Sequence, residues 1–524
     1  MYTLHLGDPG EGSKELWSLR EDVFVEPYAP DGSLTLYGRW GDVVLWRPPE
    51  PIGNFLHRMQ LGPVSLTNVL GDPAGPGPLS TAERAALFVT LERLHHLIVR
   101  SLSAGHGEQP LVSVIPISPR ARFRVKRIDP DRALRLSVFA TLGSDGTALS
   151  LESPLSLHRA VLHGPQAAWL AASLGRPRTP RELTALLSLP RELVLDTMAY
   201  LVAAGMVVQS EPDTPDGSPR FAEDSDPVLR GWTRTDLAFH VSSTLGRHDR
   251  DFGATYPLGR DARQAVLPEP PTQGSKVPLF RPALPDLLRA DPPFTAVLEA
   301  RHSVRSFGEA PLRLDEIGEL LYRSLRIRSL ISPEGTGPDE AVAMDRPYPA
   351  GGAIHELDFF IVVDHCEGVA RGVYSYDGAN HSLVLLKTES ADVDVLLNQA
   401  RTAANMSGAP PVLVMITARF QRLFWKYSGL GYALVLKHVG VVQQTLYLVA
   451  TAMGLAACAI GPGEIEDSAR ILGLDWVAQS CVGGFTLGHL PNSAAAAGPT
   501  GTRHAVNDAD WAQQCRDELR KREQ

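Results

Sequence analysis

The stretch Gly431–Leu455, "GYALVLKHVGVVQQTLYLVATAMGL", constrains the fold more than any other part of the chain. It is apolar on nearly every turn, and Lys437 is its only fully charged residue. A helix of this kind must be covered on most sides. Its polar residues Lys437, Gln444 and Thr451 recur every seven positions, a narrow stripe suited to a polar ligand or a partner subunit. The length would also span a bilayer. Lys437, His438 and the Gln443–Gln444 pair near the centre argue against a membrane, where ionisable groups are costly. Trp425-Lys426-Tyr427 precedes the helix and the turn Gly461-Pro462-Gly463 follows it, so the whole reads as one wall of a cofactor site.

A chain of 524 residues is too long for one core and implies about three domains. Its net charge of −9 is mild and argues against wholesale nucleic-acid binding. The four cysteines (Cys366, Cys458, Cys481, Cys515) are widely spaced and match no zinc or disulfide pattern, so no metal is expected and a reducing cytosol fits. The first residues, "MYTLHLGDPGEG", lack a basic region followed by an apolar run. The expected location is cytoplasmic.

Residues 34–47 alternate around Gly41-Asp42 and read as a hairpin. Short helical stretches around Phe55–Leu70, a helix from Ala82 to Leu102 and a strand over Gln109–Ile117 complete a winged-helix-like unit, 1–125, suited to peptide docking. The recipe repeats in 126–209: a hairpin over Leu134–Glu152 around Asp145-Gly146, helices at Gln166–Leu174, Pro180–Leu187 and Arg191–Ala204, and the strand "GMVVQ". Such units raise DNA binding, and Arg176, Arg178 and Arg181 could serve it. Glu192 and Asp196 oppose it, because phosphate contacts need clustered cations. Solvated arginines on a small scaffold, or a module that pairs an extended peptide with a hairpin edge at Leu34–Tyr37 or Leu134–Phe139, fit better. Residues 210–285 read as a polar linker followed by a proline-punctuated wrap over the next domain. From 286 to 524 helices and strands alternate, which predicts a mixed α/β layer. The overall expectation is an α+β chain: two small winged-helix-like domains ahead of a domain with a central mixed sheet and buried helices. The closing segment "WAQQCRDELRKRE" reads as a short charged helix.

In "ARHSVRSF" (Ala300–Phe307), an extended backbone would place Arg301, Ser303 and Arg305 on one side. Two guanidiniums and a hydroxyl suit a phosphate dianion. Surface salt bridges are the plainer alternative. In "YPAGGAIHEL" (Tyr348–Leu357), Gly351 and Gly352 would let a backbone approach a flat ring, or simply make a turn. No Walker motif or dinucleotide-binding glycine fingerprint is present, so a mononucleotide with one phosphate fits better than ATP or NAD.

Five motifs in order, Arg-His-Ser-x-Arg-x-Phe, Tyr-Pro-x-Gly-Gly-Ala, Trp-Lys-Tyr, the buried helix with Gln443, and Gly-Leu-x-Ala-x-x-x-Gly, resemble the nitroreductase-like flavoproteins. More narrowly, they resemble the SagB-type azoline dehydrogenases of thiazole- and oxazole-forming peptide maturation, including cyanobactin oxidases and thiopeptide dehydrogenases. The resemblance covers about Trp232 to Leu490. It implies FMN at a homodimer interface. It also implies a cytoplasmic partner set: an azoline-containing precursor peptide, its leader held by the N-terminal domains, and a cyclodehydratase. Carried over by residue, Arg301, His302, Ser303 and Arg305 would hold the FMN phosphate and ring edge, and Gln443 would line the cofactor. Gly351 and Gly352 would approach the flavin from the second subunit, while Gly461 and Gly463 would offer backbone N–H groups near its reactive nitrogen. Lys426 and Tyr427 match the catalytic pair. Ala350 stands where the family usually has serine, and Ala433 where an arginine is common; the motifs do not place a late phosphate contact, for which Arg503 is a candidate.

Dehydrogenating an azoline removes a proton from one ring carbon and a hydride from its neighbour. Lys426 would be the base, given burial beside Trp425, and Tyr427 would polarise the ring nitrogen or steer the lysine. Adjacent helical residues diverge by about 100°, so both can serve one site only at a helix end or bend, which Gly429 and Gly431 allow. The plain alternative makes Trp425 and Tyr427 core aromatics and Lys426 a snorkelling cation. Two other functions compete: a general nitroreductase or ene-reductase fed by NAD(P)H, and a flavin-free docking scaffold.

Overall fold

A computed structural model describes residues 13–66, 79–104, 109–212, 218–260, 265–267, 274–491 and 509–523. These form two units, 1–250 and 251–524, each with its own cores. Arg503 and residues 67–78 lie outside the described residues.

The first unit is built on a six-stranded sheet in the order Ser13–Leu19, Ile98–Ala104, Pro110–Pro116, His158–Leu162, Leu149–Glu152, Thr141–Ser144. Every neighbouring pair is antiparallel. The first three strands come from the first expected domain and the last three from the second. The two halves therefore share one hydrogen-bond ladder, joined where His158–Leu162 pairs with Pro116–Val112. Leu111, Val112 and Val114 are buried in the joining strand, and a strand so covered must satisfy its backbone on both edges.

The first hairpin forms as its alternation predicts: Leu34–Tyr37 pairs with Val43–Leu45, and Gly41 takes a positive φ of 104° in the turn. The second is shorter than expected, Thr141–Ser144 against Leu149–Glu152, with Asp145 Oδ1 accepting the N–H groups of Thr147 and Ala148. Leu134–Leu136 instead pairs with Val207–Gln209. The helix predicted to reach Leu102 stops at Arg93, and the β-branched run beginning Ile98-Val99 goes into the sheet. Its start is a capping box of Ser80 and Glu83.

Neither stretch expected to dock a peptide is an open edge. Leu34–Tyr37 is paired on both sides, by Phe24–Val25 and by Val43–Leu45. Leu134–Leu136 has Val207–Gln209 on one side and, on the other, backbone hydrogen bonds to Arg178 and Leu174.

The segment expected to be a free linker is partly packed. Phe221 is buried, and the short helix Ala222–Ser225 turns Glu223 inward. Its carboxylate accepts the Arg135 guanidinium at 2.8 Å, the Ser137 hydroxyl at 2.8 Å and the Val138 N–H at 3.0 Å. Composition alone reads such an acid as solvated; here it is the counter-ion of a half-covered arginine stacked 4.2 Å above Phe221.

The second unit carries a seven-stranded sheet in the order Lys276–Pro278, Ser382–Lys387, Gly372–Asp377, Leu357–Val363, Val412–Arg419, Gln479–His489, Leu455–Ile460. The α+β class is as expected, but the sheet is antiparallel at every pairing rather than mixed. The proline-punctuated stretch supplies its edge strand, with Pro278 at the strand's end, where a missing donor is tolerated. Leu357–Val363 is buried along its whole length. Leu357, Phe359, Ile361 and Val363 enter the core under helices Leu314–Leu325 and Gly431–Ala452, while Phe360 and Val362 enter the opposite core with helix Ser390–Ala403.

Helix Gly431–Ala452 is not covered all round within the chain. Val435, Val439, Val442, Leu446 and Ala450 face the sheet, whereas Tyr432, Leu436, Lys437, Gly440 and Gln444 line an exposed face. The helix Ala509–Glu523 packs on Phe294–Ala300.

Because Glu223 satisfies a half-covered arginine that also pairs with Asp224 at 2.5 Å, together with the Ser137 hydroxyl and the Val138 N–H, Glu223→Ala should lower the stability of the first unit by about 1–3 kcal/mol. Urea unfolding checks this; an unchanged midpoint for the first unit would mean that the segment is a linker after all.

Candidate active site

The turn Ala350–Glu356 is the most constrained backbone in the second unit. Gly352, Ala353 and His355 all have positive φ (63°, 54° and 49°), which costs free energy for the two residues carrying a Cβ. Three contacts hold it. Gly351 N–H donates to His438 Nε2 at 2.8 Å. His438 Nδ1 in turn meets both carboxylate oxygens of Glu356, at 2.8 and 3.1 Å. Arg422, 1% exposed, donates to the carbonyl of Ile354 at 3.2 Å. An N–H can donate only to an unprotonated ring nitrogen, so His438 carries its proton on Nδ1 and gives it to Glu356. The core helix thereby fixes the turn.

Lys426 and Tyr427 meet over this turn. Helix Phe420–Phe424 ends at Trp425, and Tyr427-Ser428 pairs in antiparallel fashion with Gly253-Ala254 before Gly429 turns at φ 74°. The chain is therefore bent where two adjacent side chains must share a direction. A Cβ placed on Gly352 would stand 2.9 Å from Lys426 Nζ and 3.1 Å from Tyr427 Oη. Lys426 Nζ lies 5.4 Å from the centre of the Tyr427 ring. Trp425 donates to the Arg260 carbonyl at 3.1 Å and meets Tyr256 edge-on, and Lys426 is partly covered.

A second cluster surrounds Tyr447, two and a half turns further along the helix. The Tyr447 hydroxyl accepts the Ala459 N–H at 2.7 Å and contacts Ser303 Oγ at 2.7 Å. The Arg301 guanidinium lies 4.9 Å above the same ring. Arg301 and Ser303 thus share a side, and the extended segment is tied to the sheet edge by Val304 N–H to Ala457 O. Arg305 is exposed, and neither arginine forms an ion pair among the described residues. Two uncommitted guanidiniums beside an oriented hydroxyl suit a phosphate dianion. His302 turns back to the Ala300 carbonyl at 2.8 Å. Gln443 donates its amide to the carbonyls of Ile460 (2.9 Å) and Gly484 (3.1 Å), which places it in the sheet's support. At the Gly461-Pro462-Gly463 turn, Gly461 has open space where a Cβ would stand, while Gly463 lies against Gln399. The turn also lines a cavity of about 20 Å³, room for roughly one water and not for a ring.

The structure therefore brings Gly351, Gly352, Lys426 and Tyr427 together, and separately Arg301 with Ser303. His438, Glu356, Arg422 and Tyr447 were missed by sequence reasoning. All four look like core or surface residues locally, and only their long-range partners reveal them.

His355, inside the turn and next to Glu356, adds a pH dependence. Burial, then Arg346, His438 and Arg422, push it from 6.5 down to about 3. The unfolded chain takes up the proton first, so stability from this group is complete above pH 6.5 and declines as pH falls toward about 3. Urea midpoints of the second unit should fall between pH 6.5 and 4, and less steeply in His355→Asn, since asparagine tolerates the left-handed backbone. Equal slopes in the two proteins would remove His355 as the cause.

Residues 298–489 match the sequence profile of the Nitroreductase family, and residues 134–249 match that of cyanobactin oxidase ThcOx. A putative nitroreductase of Methanocaldococcus jannaschii is 29% identical over 178 residues, 33% of this chain and 83% of that protein. The trifolitoxin-processing protein TfxB of Rhizobium leguminosarum bv. trifolii is 26% identical over 181 residues; the match spans 34% of this chain and about half (47%) of TfxB. Among solved structures, a putative nitroreductase from Anabaena variabilis is 17% identical with a TM-score of 0.35, covering 48% of this chain and 45% of that one. A chain of the E. coli microcin synthetase McbBCD complex is 19% identical with a TM-score of 0.30, covering 47% and 86%. The ThcOx match begins well upstream of Trp232 and overlaps the range of the motif resemblance at 232–249. The chain thus carries a nitroreductase-family domain at 298–489 and a cyanobactin-oxidase segment at 134–249.

Proposed function

We propose that this chain is an FMN-dependent dehydrogenase that oxidises thiazoline or oxazoline rings of a ribosomally made peptide to thiazoles or oxazoles. The observation that carries the reading is the meeting of the Lys426 amine and the Tyr427 phenol on the Gly352 turn. The pairing of a nitroreductase-family domain with a cyanobactin-oxidase segment supports it. So does the name of the trifolitoxin-processing relative, which points to peptide maturation.

FMN fits the residues present. Arg301, Ser303 and Arg305 would hold its phosphate, and Gly352, with no side chain, leaves room for the Lys426 amine and the Tyr427 phenol against the turn. When bound, FMN supplies a two-electron acceptor for the hydride leaving one ring carbon. Lys426 takes the proton from the neighbouring carbon, and Tyr427 donates a hydrogen bond to the ring nitrogen. Together these losses, one hydride and one proton, convert the azoline to the azole. Glu356 and His438 act through the turn: they keep Gly351 and Gly352 fixed so that the amine and phenol face the same point.

The two clusters sit at helix positions 438 and 447, roughly 13–14 Å apart at 1.5 Å per residue. We infer a homodimer in which the exposed face bearing Tyr432, Leu436, Gly440 and Gln444 is covered by a second copy and each cofactor draws on both. Sedimentation of the flavin-loaded protein should give twice the chain mass. A monomer that retains stoichiometric flavin would rule this out.

Lys426→Ala should keep its flavin and lose azoline oxidation by on the order of 10²–10⁴-fold. Tyr427→Phe should lose less. Mass spectrometry reads each turnover as the loss of two hydrogens. Near-normal turnover by Lys426→Ala would return Lys426 to a structural role. Rapid bleaching of the flavin by NADPH without azoline turnover would point to a general nitroreductase.

A further inference from the structure

A second polar cavity, of about 220 Å³, opens in the nitroreductase-family domain between the end of helix Leu314–Leu325 and the hairpin joining Gly372–Asp377 to Ser382–Lys387. Arg281, Arg326 and Arg328 line it together with Tyr322 and His381. None of the clusters around the core helix reaches it, and none of the motifs discussed above includes it.

Each guanidinium is anchored without being neutralised. Arg326 donates to the Tyr322 carbonyl at 2.7 Å and lies 4.5 Å above the Tyr322 ring. Arg281 donates to the Asn380 carbonyl at 2.9 Å. A guanidinium has five N–H donors, so one carbonyl bond fixes its direction and leaves most of them available. Neither Arg281 nor Arg326 forms an ion pair among the described residues. Arg328 has only a loose one, 3.7 Å from Asp345, with both side chains nearly half exposed. The nearest acid in the hairpin, Asp377, is turned into its own loop, where it accepts the N–H groups of Ala379 and Asn380 and the Asn380 amide.

His381 does not add charge. Its Nε2 donates to the Phe280 carbonyl at 2.9 Å, and its Nδ1 lies 2.9 Å from the Tyr376 hydroxyl. Burial, with help from Arg281 and Arg326, pushes this histidine below 6.5. The cavity is thus lined by three positive charges against one weakly held carboxylate. Like charges held this close repel, and an anion between them reverses the sign of that energy.

We propose that this cavity binds a small phosphate-type oxyanion, independently of the FMN site. Arginine forks match phosphate oxygens in pairs, and the volume admits a diphosphate. The anion could be a free phosphate or diphosphate, or the diphosphate of a nucleotide; the recognising chemistry is the same.

The test is calorimetric titration of the full, flavin-loaded chain at constant ionic strength with inorganic pyrophosphate and with ADP. Saturable pyrophosphate binding is expected. It should weaken about tenfold or more in Arg326→Gln, since a charge-assisted hydrogen bond to the anion is lost. The double variant Arg281→Gln/Arg328→Gln changes only exposed side chains and guards against misfolding of the first. It should show the same loss, with wild-type pyrophosphate binding unchanged by excess FMN. Equal affinity for ADP and pyrophosphate would assign the site to phosphates alone, and tighter ADP binding would extend it to a nucleotide. Absence of saturable binding, or binding abolished by excess FMN and retained in both cavity variants, would overturn the proposal.

Discussion

Glu356, with no solvent exposure, accepts the proton of His438 Nδ1, and the placement of the candidate site follows from that hydrogen bond. A buried carboxylate without a partner would cost several kcal/mol, so the helix and the strand start at Leu357 cannot move apart independently. The far side of the same imidazole then takes the Gly351 N–H. One line of contacts runs from a strand end, through the core helix, to a turn in a left-handed conformation. Side chains that meet on the turn inherit the rigidity of the core.

The sheet supports this through its two faces. Strand Leu357–Val363 commits alternate residues to two separate cores, so it is held on both sides, and the Ala350–Glu356 turn begins directly before it. On the other side of the helix, Tyr447 performs the corresponding task for the phosphate-suited segment, bonding Ala459 in the sheet and Ser303 in the loop through one hydroxyl. Both clusters thus hang from polar side chains on a helix otherwise dominated by aliphatic packing.

What could be read from the sequence divides along the distance of the interactions concerned. Pro180–Leu187 was legible to the residue, because Thr179 and Glu182 form a capping box within four positions. Local bending at Gly429 was also readable. The Glu356–His438 pair was not, because its members are 82 residues apart and each alone resembles a buried outlier. The strand at Ile98–Ala104 was hidden by a helical run whose apolar pattern continues into it. The antiparallel sheet was hidden for a different reason: helix–strand alternation gives the order of elements but not their direction, and the strand that completes one edge comes from a proline-rich stretch resembling a loop. The apolar helix was legible as a core element, although its residues at Tyr432 and Leu436 point away from the core.

The ladder that joins the two halves of the first unit has a consequence for how this chain could have changed over time. Had each half kept its own closed sheet, either could be lost, duplicated or exchanged with little harm to the other. With Pro116–Val112 hydrogen-bonded to His158–Leu162, removing one half strips the other of a neighbour and leaves a raw strand edge open to aggregation. Each half thus depends on the other for a covered strand edge, and a change that keeps both halves must keep the shared strands in register.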